Sequence, residues 1–174
     1  MSQLLTRYSC KRTLKNRALR TGRRALRFYA ELFVEHSPAQ VWSLFSNLER
    51  WPAWSPICRA CRLRDDRQQI QVGSILEIRF AVMGLVLNVP ATVVHFDPPT
   101  SITWHGRKFG INAIHSYRFL PQNHGTLLCN EETLFGFAFP LSSLVRAWYH
   151  LSKLSSESLQ GLKRELASAP GVAK

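Results

Sequence analysis

Residues 37–56 read Ser-Pro-Ala-Gln-Val-Trp-Ser-Leu-Phe-Ser-Asn-Leu-Glu-Arg-Trp-Pro-Ala-Trp-Ser-Pro, and no other stretch says as much about the fold. Ser37 is a favourable N-cap, and Pro38 suits the first turn of a helix, where the backbone N–H has no partner. The apolar residues that follow recur at helical spacing: Val41, Trp42, Phe45 and Leu48. The next segment combines bulky rings with helix-breaking prolines: Trp51, Pro52, Trp54 and Pro56. We therefore predict a short amphipathic helix and then a rigid aromatic corner, which either fills a core or lines the mouth of a pocket.

The basic charge of the chain is concentrated at its N-terminus. The formal net charge is +12, yet residues 1–30 hold nine of the 23 Lys and Arg and no Asp or Glu. We predict a basic arm over residues 1–27, a domain over 28–168 and a short tail over 169–174. The arm is either a solvated tail or an amphipathic helix, and its charge suits contact with an anionic membrane or nucleic acid.

The composition excludes several classes of protein. No apolar run approaches the ~20 residues that span a bilayer, so an integral membrane protein is not expected. A cytoplasmic location is expected, with membrane association through the arm or organellar targeting by its Arg-rich start as open alternatives. The chain has four cysteines, and Cys58 and Cys61 form a single C-x-x-C. We interpret these two as reduced, partly buried thiols, and we predict no metal site and no cofactor.

From Phe28 onward, alternating segments separated by Gly and Pro predict short β-strands. The predicted strands cover residues 28–35, 57–64, 74–82, 85–96, 101–106, 110–120 and 126–135. Leucines at helical spacing then predict a long helix that ends near residue 168. This order predicts an α+β fold, with a curved antiparallel sheet of about seven strands around the C-terminal helix and two short helices after the first strand.

Several motifs occur in an order that resembles a known superfamily. They are Ser37-Pro38-x-x-Val41-Trp42, Trp51-Pro52-x-Trp54-x-Pro56, Asp97-Pro98-Pro99 before a strand with Trp104, His115-Ser-Tyr-Arg-Phe119, Gly125-Thr126 and Glu132-Thr-Leu-Phe-Gly136. Together they resemble the START-like polyketide cyclase/dehydrase and lipid-transport superfamily (SRPBCC) over roughly residues 28–168. The resemblance implies a helix-grip fold with an apolar cavity between sheet and C-terminal helix. It also implies binding of lipids, sterols, polyketides, plant hormones or aromatic metabolites, which some members cyclise or hydrolyse.

Strand alternation suggests which polar groups face that cavity. In residues 110–120 it places His115 and Tyr117 on the inward face, together with Phe80 and Trp104 of neighbouring strands. A buried His beside a buried Tyr either contacts a ligand carbonyl or moves a proton, or only satisfies its neighbours. Glu132 lies in a segment that alternates too poorly to show its direction. Facing inward it would be a polar anchor or general acid, and facing outward an ordinary surface carboxylate.

The terminal helix carries small hydroxyl side chains in the middle of its apolar stripe: Ser152, Ser155, Ser156 and Ser158. Serines on the gripped face would leave room for a ligand. We further expect Trp42 in the core, with Trp51 and Trp54 at the rim of the cavity. The residues predicted to contact a ligand are Trp51, Trp54, Phe80, Trp104, His115, Tyr117, Phe135, Trp148 and Ser155. The candidates for catalysis are His115, Tyr117 and Glu132.

Three functions fit these observations. The leading interpretation is the binding or transport of a small hydrophobic ligand, for which an apolar pocket with few polar groups suffices. The second is an enzyme of the polyketide cyclase/dehydrase type that acts on a ligand in the same cavity. The third is a domain that its basic arm docks to an anionic membrane or nucleic acid. No constellation of residues establishes catalysis, and the sequence does not indicate an oligomeric state.

Overall fold

The computed structural model describes residues 25–65, 69–82, 84–136 and 141–168, with side chains for all of these except residues 82 and 141–151. Most of the predicted arm and all of the predicted tail therefore lie outside the described residues. The elements run in the order β1 (Ala25–Val34), α1 (Pro38–Phe45), a 3-10 turn (Leu48–Arg50), α2 (Trp51–Trp54), β2 (Cys58–Leu63), β3 (Ile75–Val82), β4 (Leu85–Asp97), β5 (Ser101–Lys108), β6 (Ile111–Gln122), β7 (Gly125–Gly136) and α3 (Leu141–Ser168).

The seven strands form one antiparallel sheet in the order β1-β7-β6-β5-β4-β3-β2. Strands β2 to β7 are a meander, and β1 joins the sheet beside β7, so β1 and β2 are its edges. Helix α3 contacts β1 and β7 as well as α1 and α2. The predicted α+β architecture is confirmed, including the two short helices after the first strand and the long C-terminal helix.

Helix α1 begins as the sequence predicts, at a capping box. The Gln40 backbone N–H donates to Ser37 Oγ at 3.3 Å, and the Ser37 N–H donates to Gln40 Oε1 at 2.8 Å. Both interactions satisfy N–H groups at a helix start that have no partner within the helix. The cap fixes the entry of the chain, so that Val41, Leu44 and Phe45 are buried against the sheet.

The two faces of the sheet differ in what covers them. We call the face that contacts the helices the inner face and the opposite one the outer face. Directly paired residues on neighbouring strands share a face. One such row crosses the inner face, and it consists of Phe28, Glu132, His115, Trp104 and Val93. The next row toward the β4–β5 turn also lies on the inner face, and it consists of Ala30, Asn130, Tyr117 and Ile102.

The second half of α3 is held closely against α2. Leu159, Leu162 and Leu166 are fully buried, as their spacing predicts. Gly161 lies between them, and its α-carbon approaches the Trp54 backbone so closely that a Cβ would overlap the Trp54 carbonyl oxygen. An ion pair between Arg50 and Glu165 joins α3 to the 3-10 turn directly before α2.

Strand β1 begins earlier than predicted. Its pairing with β7 runs from Val34 back to Ala25, which lies opposite Phe135. The strand therefore starts three residues before the predicted domain boundary at residue 28. Leu26 shares the inner face with Phe28, but it lies between Arg24 and Arg27, so the sequence grouped it with the basic arm, whereas the pairing with β7 shows it to be part of the strand.

Candidate functional site

Three of the predicted ligand-contacting residues lie together on the inner face. The Trp104 and His115 rings have centroids 4.8 Å apart, and the His115 and Tyr117 rings 5.0 Å apart. Trp104 and Tyr117 are stacked, with centroids 5.8 Å apart. The prediction that β5 and β6 point these side chains to one face is correct. The result is a packed aromatic surface made of an indole, an imidazole and a phenol.

The aromatic corner of α2 packs onto this surface. Trp51 lies 5.4 Å from Trp104 between ring centroids, and its Nε1–H donates to the Phe45 carbonyl oxygen at 2.7 Å. Trp54 stacks obliquely on Trp51 at 5.6 Å. Trp51 and Trp54 are only 3% and 4% exposed, so the prediction that they form a rim is wrong. The 3-10 turn folds the chain back over the sheet and directs both indoles inward, whereas Trp42, predicted in the core, is half-buried at its margin.

The indole N–H of Trp54 is a buried donor without a hydrogen-bond partner among the described residues. Leaving such a donor unpaired costs about 1–3 kcal/mol. The Trp54 ring lies 6.4 Å from the Tyr117 ring, at the end of the aromatic surface nearest α3. An acceptor on a bound molecule or a water would satisfy this donor.

The orientation of His115 is fixed by Asn130, a residue that the sequence did not indicate. His115 Nε2–H donates to Asn130 Oδ1 at 2.6 Å, and Asn130 is 2% exposed. The carboxamide oxygen accepts this bond, so Nδ1 is the ring nitrogen left to accept a proton or a hydrogen bond. The signal that identifies Asn130 is the register of β6 and β7, which pairs it with Tyr117.

Glu132 faces inward. It is the direct partner of His115 in the sheet and lies beside Phe28 of β1, on the inner face. Its carboxylate is close enough to Tyr117 to add to the effect of burial, which is the main cause that raises the pKa of that phenol above its ordinary value. Among the described side chains, no ion pair involves Glu132. The structure thus gives the direction of Glu132, which the sequence left open, and its role stays a prediction.

A row of small residues lies next to this polar pair. Ala91, Gly106 and Ala113 are mutual partners across β4, β5 and β6, on the inner face. A Cβ on Gly106 would lie 3.2 Å from Val89 Cγ1, closer than ordinary packing allows. On β4, β5 and β6 this row therefore carries only small side chains beside His115, and it ends at Leu134 on β7. Sequence analysis missed this row, because it exists only after three strands are aligned.

The other predicted contacts divide between the two faces. Phe80 is half-buried on the inner face, packed against the core. Phe135 lies on the outer face, where its ring stacks on His105 at 6.5 Å between centroids, so its prediction as a cavity residue is wrong. The register pairs Phe135 with Asn112. Asn112 lies three residues from His115 in β6, so the two side chains point to opposite faces. The side chain of Trp148 lies outside the described residues.

The serines of α3 also divide. Ser155 and Ser158 are buried, whereas Ser152 is half-buried and Ser156 is exposed. Ser156 Oγ donates to the Ser152 carbonyl oxygen at 3.4 Å, one turn earlier. The small hydroxyls predicted on the gripped face are thus present at two of the four positions.

Two open grooves lie away from the inner face. One, of about 450 Å³, crosses the outer face over β2, β3 and β4, and it is lined by Ala60, Arg62, Arg64, Glu77, Ile78, Arg79, Asn88, Val89 and Pro90. The other, of about 480 Å³, separates α2 from α3, and it is lined by Pro52, Ala53, Trp54, Ser55, Pro56, Arg59, Glu157, Gln160 and Arg164. Five of the nine residues in each lining are charged or polar, and Trp54 is the one predicted contact residue in these two grooves.

The thiols of the C-x-x-C are free and buried, as predicted. Burial raises the pKa of Cys58 to about 11 and raises that of Cys61 further, so neither is a ready metal ligand or nucleophile. Within the described ranges, no group of three or more His, Cys, Asp or Glu is placed to hold a metal ion. In the same part of the chain, no helix has the length and apolar character needed to cross a bilayer.

Comparison with known proteins identifies relatives of this fold. The family model described as "Polyketide cyclase / dehydrase and lipid transport" matches residues 25–167. A search of the curated proteins gives no match. Among solved structures, the di-domain ARO/CYC BexL from the BE-7585A biosynthetic pathway has a TM-score of 0.66 at 16% identity. That alignment covers 84% of this chain and 51% of BexL, so the chain spans about half the length of that protein.

Two further structures are similar over nearly their whole length. The major latex-like protein 151 of Panax ginseng has a TM-score of 0.62 at 11% identity, covering 81% of this chain and 97% of that protein. A START superfamily protein from Mycobacterium smegmatis has a TM-score of 0.60 at 17% identity, covering 81% of this chain and 94% of that protein. Likeness at such low identity establishes the shared fold and nothing more.

Proposed function

Because the chain belongs to the polyketide cyclase/dehydrase and lipid-transport family, we propose that it binds a small hydrophobic molecule between the inner face of its sheet and α3. The ligand has an apolar, partly aromatic body and carries at least one carbonyl or hydroxyl group. The body lies over the row of small residues at Ala113, and the polar group meets His115 and Glu132.

The observation that carries this proposal is the row of small residues beside the polar pair. Ala91, Gly106 and Ala113 occupy the middle of a sheet face that elsewhere carries large side chains. A face that only had to pack against a helix would be filled there, because voids in a core are costly. A half-buried carboxylate next to the row is equally unfavourable in an apolar core, and a polar ligand group or its bound water would compensate for it.

The polar groups are suited to orient a ligand. Asn130 holds the His115 ring in one position, so Nδ1 can accept a hydrogen bond from a ligand hydroxyl without losing side-chain entropy. Glu132 accepts a second one from the same end of the molecule. The unpaired N–H of Trp54 is a donor that a ligand carbonyl would satisfy.

The test is to place a large side chain in the row of small residues, on β6. Ala113→Leu adds three carbon atoms on the inner face, whereas Ile114→Phe adds bulk on the outer face of the same strand and serves as the matched control. Binding of the neutral probe N-phenyl-1-naphthylamine is measured by its fluorescence. We expect Ala113→Leu to weaken binding about tenfold or more, since the leucine would occupy space that the ligand needs and a loss of about 1–3 kcal/mol corresponds to that factor, and Ile114→Phe to leave it unchanged.

Native mass spectrometry of the purified chain gives an independent measurement, because a bound lipid or metabolite remains attached in the gas phase. Equal binding by wild type and Ala113→Leu, with no co-purified ligand in either, would contradict the proposal. Loss of binding in both variants with folding intact would place the ligand elsewhere on the chain.

A second candidate is a cyclase or dehydrase that acts on a polyketide-like molecule in the same place. Its support is the His115–Asn130 bond, which holds a ring nitrogen ready to take a proton, with the Glu132 carboxylate on the neighbouring strand. His115→Ala and Glu132→Gln should then abolish product formation while retaining probe binding. Turnover equal to that of wild type in both variants would exclude this candidate and leave the binding proposal in place.

A further inference from the structure

Two hairpin turns and the start of β1 lie at one end of the sheet. The β3–β4 turn joins Val82 to Leu85, and the β5–β6 turn joins Lys108 to Ile111. Since neighbouring strands are antiparallel, alternate hairpins turn at the same end. Ala25, the first residue of β1, pairs with Phe135 at that end as well. We call this region the hairpin end and define it by Leu85, Val86, Arg107, Lys108 and Phe109.

The hairpin end exposes large apolar side chains. Phe109 is 73% exposed, Leu85 63% and Val86 54%. Single exposed apolar residues are common on protein surfaces. Here, however, they occupy the tips of two protruding turns, where polar residues would form the turn at least as well. The β3–β4 hairpin protrudes further, because the pairing of β4 with β5 begins only at Ala91.

Phe109 is an unfavourable residue for the turn in which it lies. Phe109 and Gly110 form a two-residue turn with φ of +50° and +76°, the signature of type I′. Its first position favours Asn, Asp or Gly, and a bulky residue at positive φ is strained. In the β6–β7 turn, at the other end of the sheet, the residue with a similar φ of +52° is Asn123. Asparagine is one of the residues that this conformation favours. A residue that is unfavourable for its own turn suggests that its ring has a function other than stabilising the fold.

Positive charge surrounds these apolar tips. Arg107 and Lys108 directly precede Phe109, and Lys108 Nζ lies 5.3 Å from the centroid of its ring. Between residues 78 and 130 the only acidic residue is Asp97, which lies at the opposite end of the sheet. Residues 1–24 contain eight Lys and Arg and no Asp or Glu, and they join the domain at Ala25. Positive charge therefore accompanies the Phe109 tip, and the most basic segment of the sequence joins the domain at the same end.

We propose that the hairpin end binds the surface of an anionic membrane. Phe109, Leu85 and Val86 enter the interface between headgroups and acyl chains, where aromatic and aliphatic side chains are stabilised. Arg107 and Lys108 remain at the level of the phosphate groups. Nucleic acid fits less well, because it would neutralise the cations but leave the aliphatic tips in water. The proposal does not depend on the ligand site of the inner face.

The test measures sedimentation of the full chain with vesicles of phosphatidylcholine, with and without phosphatidylserine. Phe109→Asn should weaken binding to the anionic vesicles about tenfold, because one aromatic ring no longer leaves water. The same change should leave the melting temperature equal or raise it, since Asn suits the turn. Leu85→Thr with Val86→Thr tests the second tip in the same way. Arg107→Gln with Lys108→Gln should weaken binding about thirtyfold on anionic vesicles and little on neutral ones.

Asn123→Phe is the matched control, since it places the same ring in a turn at the other end of the sheet. It should destabilise the fold and add nothing to vesicle binding. Absence of binding by wild type to anionic vesicles would overturn the proposal. So would vesicle binding that persists unchanged in Phe109→Asn and in the Leu85/Val86 variant. Equal salt-dependent binding to vesicles and to an oligonucleotide, unaffected by either variant, would assign the interaction to the basic arm alone.

Discussion

Replacing Gly161 by alanine should destabilise the protein, although alanine is the better helix former. A Cβ at position 161 would overlap the Trp54 carbonyl oxygen and lie 2.8 Å from the Trp54 carbonyl carbon. Both are backbone atoms of α2, so no flexible side chain can move aside. The two segments must separate, or α2 must shift across the inner face.

The magnitude follows from two opposed terms. Helix propensity favours alanine over glycine by about 1 kcal/mol. Overpacking typically costs about 1–3 kcal/mol and exceeds that range when backbone must move. A shift of α2 also strains the hydrogen bond from Trp51 Nε1 to the Phe45 carbonyl oxygen, which is buried. We expect a net loss of about 2 kcal/mol in the free energy of unfolding.

Urea unfolding followed by tryptophan fluorescence measures this loss, since Trp51 and Trp54 lie in the region that moves. With a slope of about 2 kcal/mol per molar urea, the midpoint of Gly161→Ala should fall by about 1 M. Gln160→Ala is the control, because Gln160 is exposed on the same turn and its change should stay within about 0.5 kcal/mol. A Gly161→Ala protein as stable as wild type, or more so, would refute the close approach of α3 to α2.

Three other outcomes are expected. Hydrogen bonds from Arg64 and Arg62 lower the pKa of Glu77 below its ordinary value of 4.5, so its contribution to stability is present above that pH and is lost as the pH falls through the lowered pKa. The melting temperatures of wild type and Glu77→Gln should therefore differ at neutral pH and converge in acid, and a constant difference would contradict this. Ser37→Ala removes one half of the capping box and should lower the unfolding free energy by about 0.5–2 kcal/mol, measured by urea titration with Ser43→Ala as the exposed control. Burial and a pKa of about 11 should make Cys58 react with Ellman's reagent far more slowly in the folded protein than in urea, and equal rates would show that the thiol is accessible.

The fold was predictable because its signals are local. Leu76, Ile78 and Phe80 alternate with Glu77 and Arg79, so the two faces of β3 can be read without any knowledge of its neighbours. The cap at the start of α1 and the turns between the strands can likewise be recognised from a few consecutive residues. These signals determine where elements begin and end, and the order of the elements then leaves few possible architectures.

The site was only partly predictable, because its composition depends on register. Trp104, His115 and Tyr117 could be placed by alternation within their own strands. Phe135 could not, since consecutive polar residues in β7 hide the alternation and only its pairing with Asn112 shows the outer face. The row of small residues that includes Gly106 spans three strands, and no single stretch of sequence contains it.

The burial of the aromatic corner is a tertiary effect of a similar kind. The prolines of residues 51–56 indicate a rigid bend but not its direction. The direction comes from contacts distant in sequence, above all the approach of Gly161 to Trp54 and the packing of Trp51 on Trp104. An aromatic corner at the rim of a pocket and one that fills a core have the same local sequence. Only the residues against which the corner packs distinguish the two.

The position of β1 at the edge beside β7 has a consequence for biosynthesis. The first strand of the domain to leave the ribosome pairs with the last one to be made, since Ala25 lies opposite Phe135. At about 5–20 residues per second, β1 waits on the order of ten seconds before its partner exists. During that time Phe28, Ala30 and Val34 have no sheet to cover them. The yield of folded protein should therefore depend on translation speed and on chaperones that shield this strand, even though the finished domain buries all three side chains.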